Sequence, residues 1–548
     1  MQRLSGMVVA IGFVLLLGVG VLAASLIFGS GAQQPGTGPG PQSGSSAGAS
    51  GELILLGSDP PTLDPHLAGD TASAEYIVEV FSGLVTLDNQ LRVQPDLADS
   101  WKVSDDGKTY TFTLNPNAKF HSGRAVTAED VKYSIERAAD PKTQSTTADA
   151  YLGDIVGVKD KLASKASEVA GVKVLDSRTV QIQIDEPKAY FLAKMTYPTA
   201  FVVDKANVES GRAWTDKPNG TGPFTLKEWR KGERIILERN PDHFRTPPKL
   251  ERLVFNLAGG SSMTMYENDE IAISGVGIND IERVLDTSNP LNKELKVHDE
   301  LSTFYIGFNN KTAPFDDKLV RQAFSHALDK ERIIEVVLKG LLQPAYTILP
   351  PGMPGYSANL PGLRYDPEKA RQLLAQSKYA GKLPEITMII PGQASTPPPT
   401  VEAMVEMWKQ NLGVDVKIQQ VEWATFLQEV KPKTAGQGGK YQMYQLGWIA
   451  DYADPQDFLD ILFHCQSLEN NGAYCNRDAD KLLEQARVEQ DIEKRLALYQ
   501  QVEQMIVQDA PWLPTWHGRS YLVVKPWVKG YQPAAMVVPT YARVAVER

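Results

Sequence analysis

The sequence predicts an exported α/β protein with several domains, and three observations support this prediction. Its 548 residues are 42% hydrophobic and 22% charged, a composition typical of globular proteins that bury large cores. This length predicts roughly two to four domains or lobes. Strand-like and helix-like patterns alternate through the second half of the chain, which favours an α/β lobe. The N-terminus has the pattern of an export signal.

The first 28 residues are predicted to direct export. Arg3 is the only charged residue before a largely apolar run of 22 residues, 7–28. A cleavable signal core usually has about 7–15 residues, whereas this run is long enough to cross a bilayer as a helix. The small residues Ala23 and Ala24 offer a cleavage site. Residues 1–28 are therefore either a signal peptide or an N-terminal membrane anchor, and both alternatives place the body outside the cytoplasm.

Residues 29–51 are predicted to be a flexible linker, because they contain only Gly, Ser, Pro, Ala, Gln and Thr. Residues 44–48 match the hydrolase pattern G-x-S-x-G by chance, since that motif needs a strand before it and a helix after it. Residues 219–222, NGTG, are interpreted as a structural turn, because no Lys follows as in a phosphate loop. H-E-x-x-H is also absent from the sequence. We therefore expect no enzymatic activity, no cofactor and no metal site.

The charge of the chain argues against a nucleic-acid partner. The formal net charge is −10, and no long basic run occurs. The acidic balance fits a cationic or zwitterionic ligand, although acidity by itself mainly indicates solubility.

Hydrophobic periodicity predicts the elements of the first 250 residues. Thr127 is expected to cap its helix, with Asp130 as the acid of a capping box. In chain order the elements are a strand in ELILLGS, a helix in TASAEYIVEVFSGLV, a strand in TYTFTLNPNAKF, a helix in TAEDVKYSIERAA, a strand in TVQIQID, and a hairpin formed by NGTGPFTLKEW and ERIILERN.

Longer helices are predicted in the second half. One begins at the cap Asp317 and continues to Gly340, where glycine ends it. The elements that follow are a strand in LPEITMII, a helix in PTVEAMVEMWKQNLG, a strand in VDVKIQQVEW, and one long helix from Asp478 to Ala510. This alternation is the basis of the α/β prediction.

Five stretches together resemble one family, the extracytoplasmic solute-binding proteins of peptide and nickel ABC importers, known as family 5. They occur in the family's order and spacing, from about residue 52 to the end of the chain. They are PPTLDPH, QPDLADSWKVSDDGKTYTFTLNPNAKFHSGRAVTAEDVKYSIER, NGTGPFTLKEWRKGERIILERNPDHF, YIGFNNKTAPFDDKLVRQAFSHALD and GWIADYADPQDFLDILF.

The resemblance implies a two-lobed clamshell of the type II periplasmic-binding-protein class, with an extra domain inserted in the first lobe. Two crossings of the chain between the lobes would form a hinge. The implied first lobe is built from residues 52–81, 206–299 and 515–548, the inserted domain is 82–205, and the second lobe is 300–514.

The resemblance also implies a function. A protein of this family captures peptides outside the cytoplasmic membrane and delivers them to the transmembrane subunits of an ABC permease, without chemistry and as a monomer. It would touch the membrane itself only if residues 1–28 stay uncleaved. The alternatives are the same fold with another solute, such as a nickel complex, an opine or an oligosaccharide, and an envelope peptidase or chaperone.

Residues 447–465, GWIADYADPQDFLDILFHC, contain four aspartates spaced three apart. Asp454, before Pro455, is predicted to be an N-cap with proline at the first helical position. Asp457 then takes the capping-box position, and Asp460 is predicted to face solvent. Metal binding is not expected, because the spacing matches no calcium loop.

Asp451 lies in the connection from strand to helix, where α/β folds hold ligands. It could instead form an Asx-turn or a salt bridge within the loop. The resemblance assigns it to the ligand's α-ammonium, because in peptide receptors the aspartate three residues after the Trp of GW has that role. A carboxylate suits this role, since a buried ammonium needs a partner.

The resemblance extends to further ligand contacts. The backbone of Gly447, Trp448 and Ile449 would pair with a peptide as an added strand, and the first lobe would contribute the backbone of Gly69 and Asp70. The side chains of Trp423 and Trp448 would form pocket walls, unless they belong to the core of the lobe. At Ala68 the chain departs from the family, because many peptide receptors have an acidic residue there.

Two nearby cysteines, Cys465 and Cys475, are typical in an exported protein of one disulfide that closes a short loop. Two free thiols are the alternative. Dipeptide receptors of the family carry a short disulfide just after the GW segment, and this resemblance also favours the bond.

Overall fold

The computed structural model describes residues 51–211, 213–392, 396–432 and 434–548. The predicted signal peptide or anchor, the linker up to residue 50 and the hydrolase-like motif lie outside the described residues. Within those ranges, no helix combines the length and the apolar character that crossing a membrane requires.

The strands are numbered in chain order. They are β1 (Glu52–Leu56), β2 (Val85–Leu87), β3 (Val93–Pro95), β4 (Ala98–Val103), β5 (Thr109–Leu114), β6 (Val172–Asp176), β7 (Thr179–Gln183), β8 (Phe224–Arg230), β9 (Arg234–Arg239), β10 (Arg252–Asn256), β11 (Ile273–Gly275), β12 (Leu295–Phe308), β13 (Gln343–Pro344), β14 (Ile386–Pro391), β15 (Val416–Val421), β16 (Met443–Ile449), β17 (Trp512–Val524), β18 (Val528–Lys529) and β19 (Ala545–Val546).

The α-helices are numbered in the same way. They are α1 (Thr71–Val80), α2 (Ala128–Ala138), α3 (Ala148–Leu152), α4 (Val158–Leu162), α5 (Phe191–Lys194), α6 (Lys205–Val208), α7 (Ser262–Glu267), α8 (Ile281–Leu285), α9 (Lys318–His326), α10 (Lys330–Val336), α11 (Pro367–Gln376), α12 (Pro399–Leu412), α13 (Trp423–Val430), α14 (Gln456–Phe463), α15 (Arg477–Val488) and α16 (Ile492–Asp509).

Three sheets of the described residues have four or more strands. The first has the order β1-β10-β9-β8, in which β1 runs parallel to β10 and the others are antiparallel. The second has the order β11-β17-β12-β16-β14-β15, with β13 also paired to β17. Its parallel strands β14, β15 and β16 alternate in sequence with the helices α12 and α13. The predicted α/β architecture is therefore confirmed.

A third sheet, β4-β5-β7-β6, is formed by residues of the predicted inserted domain. Its inner face packs with α2 around a separate apolar core that includes Phe112, Val131 and Ile182. Thr127 and Asp130 form the predicted capping box at the start of α2, and the Thr127 N–H donates to Asp130 Oδ2 at 2.9 Å. The domain boundaries themselves stay predictions.

The predicted hinge falls in the two longest strands, β12 and β17, which are antiparallel neighbours. Their register shifts where residues 300–302 of β12 lie opposite the single residue Gly518 of β17. A Cβ atom at Gly518 would collide with Ser302 Oγ and lie 2.7 Å from Glu300 Oε2. This bulge lies beside the predicted lobe boundaries, which are after residues 299 and 514.

Two helix predictions are wrong in their extent. The helix that begins at Asp317 ends at His326, and a second helix, α10, is capped by Asp329, whose Oδ1 accepts from the Arg332 N–H at 2.9 Å. The predicted helix over residues 478–510 is likewise two helices, because Asp491 caps α16. In both cases an internal aspartate competes successfully as a new cap.

The NGTG segment is a structural turn, as predicted. The Gly222 N–H donates to the carbonyl of Val80 at 2.8 Å. A Cβ atom at Gly222 would lie 2.5 Å from the carbonyl oxygen of Glu79. The glycine is therefore explained by close backbone packing.

Candidate ligand-binding site

The C-terminal part of β16 has an open edge. One side of β16 pairs with β12 along its whole length, from Met443 to Ile449. On the other side β14 pairs only with Met443 and Tyr444. No strand of the described residues borders β16 on that side beyond Tyr444. An open edge of this kind can accept an extended peptide as an additional strand.

The direction of the backbone groups follows from one hydrogen bond. The Ala450 N–H donates to the carbonyl of Leu301, in β12, at 2.7 Å. Backbone groups alternate in direction along a strand, so those of Trp448 also point to β12, whereas those of Gly447 and Ile449 point to the open edge. The predicted contact with a ligand's main chain is therefore restricted to Gly447 and Ile449, because the Trp448 backbone belongs to the sheet.

Gly447 is the position on this edge where a side chain does not fit. A Cβ atom there would lie 2.7 Å from Cδ1 of Phe304, which is the cross-strand partner of Gly447 in β12. The absence of a side chain keeps the strand pair close.

Asp451 follows this edge, two residues after β16 ends. Its carboxylate is partly buried, and Oδ2 accepts a short hydrogen bond from the Tyr151 hydroxyl. Burial raises the pKa of Asp451, the charge of Glu469 raises it further, and the Tyr151 hydrogen bond and the charge of Lys431 oppose the increase. Among the residues that the structure describes, no cationic side chain is in direct contact with this carboxylate.

Tyr151, on α3, was not predicted from the sequence. It is 2% exposed and lies 300 positions from Asp451 in the chain. Its ring stacks on that of Tyr197 at a centroid distance of 3.8 Å. In the sequence both residues have the pattern of ordinary core tyrosines, so no local signal distinguishes them.

The other three aspartates have structural roles that differ in part from prediction. Oδ1 of Asp454 accepts from the Gln456 N–H at 3.0 Å and also contacts Arg495 Nη2 at 2.5 Å. Asp454 therefore caps the first turn as predicted, although α14 itself begins at Gln456 with Pro455 at the N-cap.

Asp457 is not a capping-box acid. Its Oδ2 accepts from the Asp451 N–H at 3.0 Å and from Trp448 Nε1 at 3.2 Å. Its side chain is fully buried, and burial together with the charge of Asp451 raises its pKa well above the usual range. Asp457 thus fixes the loop that carries Asp451.

The prediction that Asp460 faces solvent is wrong. Its side chain is 3% exposed, and its two oxygens accept from Arg487 Nε and Nη2, both at 2.7 Å. Gln456 Nε2 adds a third hydrogen bond at 2.9 Å. The cation that makes this burial possible lies 27 positions away in the chain.

The two predicted tryptophan walls lie at the margin of one apolar core cluster, which joins residues of the predicted second lobe with residues of the predicted inserted domain. Trp423 begins α13 and its ring is nearly parallel to that of Phe426, at 5.7 Å. Trp423 and Trp448 are both partly buried and pack against the same core cluster. Each tryptophan side chain therefore packs partly against the core and is partly accessible to solvent, so the pocket-wall and core alternatives both apply to it.

On the first-lobe side, Asp70 caps α1. Its Oδ1 accepts from the Ser73 N–H and its Oδ2 from the Ser73 hydroxyl, both at 2.9 Å. Its carbonyl accepts from the Ala74 N–H. Of the predicted contacts in this loop, the backbone N–H and carbonyl of Gly69 and the backbone N–H of Asp70 therefore remain for a ligand. Ala68 is 1% exposed and packs in the core.

Cys465 and Cys475 form the predicted disulfide. Asn470 lies within the closed loop, and its Nδ2 donates to the carbonyls of Tyr474 at 2.7 Å and His464 at 3.2 Å. The loop is therefore ordered from within as well as by the covalent bond.

Comparison with known proteins places the fold. The family described as "Bacterial extracellular solute-binding proteins, family 5 Middle" matches residues 92–470. The periplasmic oligopeptide-binding protein OppA of Escherichia coli (strain K12) is 32% identical over 501 residues, covering 89% of this chain and 90% of OppA. The probable deoxycholate-binding periplasmic protein YgiS of the same strain is 32% identical over 490 residues, covering 86% and 89%.

Two solved structures of one protein, the Escherichia coli murein tripeptide binding protein MppA, resemble the fold of this chain. The first has a TM-score of 0.81 at 29% identity and covers 91% of this chain and 98% of MppA. The second, an unliganded open form, has a TM-score of 0.67 at 28% identity, with the same coverage. The two-lobed type II fold is therefore confirmed.

Proposed function

The chain belongs to the bacterial extracellular solute-binding proteins of family 5, and from this premise we propose that it is the peptide-capturing receptor of an ABC importer. It binds di- or oligopeptides outside the cytoplasmic membrane and presents them to the permease. It carries out no chemistry and acts as a monomer. Residues 1–28 export it, as a cleaved signal peptide or as an anchor.

The observation that carries this proposal is the open edge of β16, which ends at a carboxylate without a direct cationic partner. A peptide added along Gly447 and Ile449 would form main-chain hydrogen bonds that do not depend on its side chains. Its α-ammonium would reach Asp451 and replace the Tyr151 hydroxyl as the partner of the carboxylate. Recognition of the main chain and of one terminal charge suits a receptor for peptides of varied sequence.

Closure of the lobes would complete the site. Gly69 and the Asp70 N–H belong to the first lobe, and Asp451 belongs to the second. A ligand that contacts both lobes stabilises the closed arrangement. The stabilisation equals the difference between the ligand's binding free energies for the closed and the open arrangement. The permease can thereby distinguish the ligand-bound receptor from the empty one by the relative position of the lobes.

A receptor for another solute is the alternative within the same family, and YgiS is as similar to this chain as OppA. An acidic ligand such as a bile acid would meet Asp451 with like charge, which is unfavourable in a buried site. The carboxylate therefore favours a ligand with a free ammonium group.

Calorimetry with the purified protein would test the proposal. Trialanine with a free N-terminus is expected to bind, and N-acetyl-trialanine is expected to bind at least roughly tenfold more weakly, because it lacks the charged donor. Equal binding of both peptides would exclude the ammonium role of Asp451. Release of shortened products would contradict a receptor without chemistry.

A further inference from the structure

A cluster of metal-ligating side chains includes the disulfide and none of the proposed ligand contacts. The sulfur atoms of Cys465 and Cys475 and one carboxylate oxygen of Asp480 all lie within 4.8 Å of one another. Among the residues that the structure describes, this is the one group of three or more His, Cys, Asp or Glu side chains whose ligand atoms come so close together. A sulfur atom binds metal as a thiolate, so a metal site here requires that the disulfide be reduced.

Asp480 is directed at the cysteines by the backbone of one of them. Its Oδ1 accepts from the Cys465 N–H and its Oδ2 accepts from Arg477 Nη1, both at 3.1 Å. The side chain lies in the first turn of α15 and is 3% exposed. Because a carboxylate has about four lone-pair positions, these two hydrogen bonds leave Asp480 able to bind a cation. Its orientation is fixed before a metal arrives.

Cys475 gives solvent access to the cluster. It is exposed, whereas Cys465 and Asp480 are buried. A disulfide is opened when a thiolate attacks one of its sulfur atoms, and the rate depends on access to that atom. The exposed side of Cys475 is therefore the side from which a reductant, and then a metal ion, would enter.

Contacts on both sides of the loop would keep the cysteines close together after reduction. The residues on either side of Cys475 are held by one carboxylate. Tyr474 Oη and Asn476 Nδ2 both donate to Asp509 Oδ2, at 2.8 and 2.9 Å. Cys465 lies two residues after the end of the buried helix α14. Neither cysteine therefore depends on the disulfide alone for its position.

We propose that reduction converts this cluster into a zinc site with Cys465, Cys475 and Asp480 as the three protein ligands. A dithiol breaks the S–S bond: it gives up two electrons and two protons, becomes a disulfide itself and leaves two cysteine thiols. Zn²⁺ then displaces the two thiol protons and forms two Zn–S bonds. Thiolate and carboxylate are usual zinc ligands, whereas magnesium and calcium bind to oxygen and not to thiolate.

The geometry that zinc requires is within reach of the cluster. Two sulfur atoms bound tetrahedrally at about 2.3 Å from zinc lie about 3.8 Å apart, which is less than the 4.8 Å over which the ligand atoms are spread. The fourth position falls to water. His464 Nδ1 accepts from the Gln466 N–H at 3.3 Å, so Nε2 carries the proton of the ring and does not bind the metal. The zinc ion would close the same loop that the disulfide closes, and the expectation of no metal site would then hold only for the oxidised protein.

The zinc content of the full chain, reduced and oxidised, would test the proposal. The protein is reduced with dithiothreitol, freed of reductant without oxygen, incubated with zinc chloride, desalted and analysed for metal by plasma mass spectrometry. The reduced chain is expected to retain about one zinc ion more than the oxidised chain. Zinc should also raise the melting temperature of the reduced protein alone, since it binds the folded form. Equal zinc content in the two forms would overturn the proposal.

Variants identify the ligands. Loss of a residue that only supports a metal ligand costs about 10–100-fold in affinity, so reduced Asp480→Asn is expected to bind zinc at least about tenfold more weakly. Glu484→Gln is the matched control, because Glu484 lies one turn further along α15 with its side chain 56% exposed; it is expected to bind zinc like the unchanged protein. Cys465→Ser/Cys475→Ser is expected to retain no more zinc than the oxidised chain.

A measurement on the unchanged protein covers the case in which the serine variant fails to fold. Zinc should slow the alkylation of the reduced cysteines by iodoacetamide at least about tenfold, because a metal-bound sulfur is a poor nucleophile. The proposal is overturned if alkylation is not slowed, if a folded serine variant keeps the zinc, or if Asp480→Asn binds zinc within about twofold of the unchanged protein. None of these measurements uses a peptide, so their failure would leave the proposed function standing.

Discussion

Asp451→Asn should weaken peptide binding without weakening the fold. The substitution keeps the shape of the side chain and an oxygen acceptor for the Tyr151 hydroxyl, but it removes the negative charge. A hydrogen bond to a charged group contributes about 1.5–3 kcal/mol. Its loss predicts a decrease in affinity of roughly tenfold to 150-fold for peptides with a free N-terminus.

The stability of the unliganded protein should respond in the opposite direction, if at all. Burial raises the pKa of Asp451, so keeping this carboxylate ionised at pH 8 costs folding free energy, and a neutral amide avoids that cost. The expected melting temperature of Asp451→Asn at pH 8 is therefore equal to or above that of the unchanged protein. A variant that simply damages the second lobe would melt lower.

Calorimetry at pH 8 with trialanine and thermal melting without ligand would measure both effects. Asp478→Asn is a suitable control, because Asp478 is an exposed aspartate of the same lobe, 78% exposed and paired with Lys481. It should leave affinity unchanged. The reasoning is refuted if Asp451→Asn binds trialanine within about twofold of the unchanged protein, a difference of less than about 0.5 kcal/mol.

Three further predictions concern pH, the disulfide and the hinge. Burial raises the pKa of Asp451 and a bound ammonium would lower it. Binding below pH 7 should therefore release a proton, and affinity should fall as the pH is lowered. If calorimetry in buffers of different ionisation enthalpy detects no proton release, this prediction is wrong. Reduction of Cys465–Cys475 should cost about 2–3 kcal/mol of stability without abolishing folding, and an unchanged melting temperature under reductant would contradict it. Gly518→Ala should lower the free energy of unfolding by about 1–3 kcal/mol, because the Cβ atom of alanine would collide with Ser302 in the bulge. Denaturant unfolding would refute this if the two free energies of unfolding differ by less than about 0.5 kcal/mol, as for an ordinary surface substitution.

Local signals in the sequence predicted local structure well. The capping box of Thr127 and Asp130 and the cap at Asp454 depend on residues within one turn, and both occur in the structure. The two helices that were predicted too long failed for a local reason as well. Asp329 and Asp491 interrupt an otherwise continuous apolar pattern, and each caps a new helix there.

The candidate site was less predictable, because its contacts join distant parts of the chain. Asp460 is buried only because Arg487 neutralises it, and Asp451 contacts a tyrosine that lies 300 positions away in the chain. Neither partner can be inferred from spacing. The ammonium role of Asp451 is implied only by resemblance to a family. Capping rules account for Asp454, whereas Asp457 accepts from the Asp451 N–H and Asp460 from Arg487.

The bulge between β12 and β17 connects the predicted hinge to the proposed site through a single residue, Leu301. The N–H of Leu301 donates to the carbonyl of Ala535, in the C-terminal segment, at 2.9 Å. The carbonyl of Leu301 accepts from the N–H of Ala450, the residue directly before Asp451. If the lobes rotate about this bulge, as the predicted boundaries imply, the rotation would displace the backbone that positions the Asp451 carboxylate. Substitutions next to Leu301, outside the proposed ligand contacts, should change affinity by altering how well the Asp451 carboxylate is aligned.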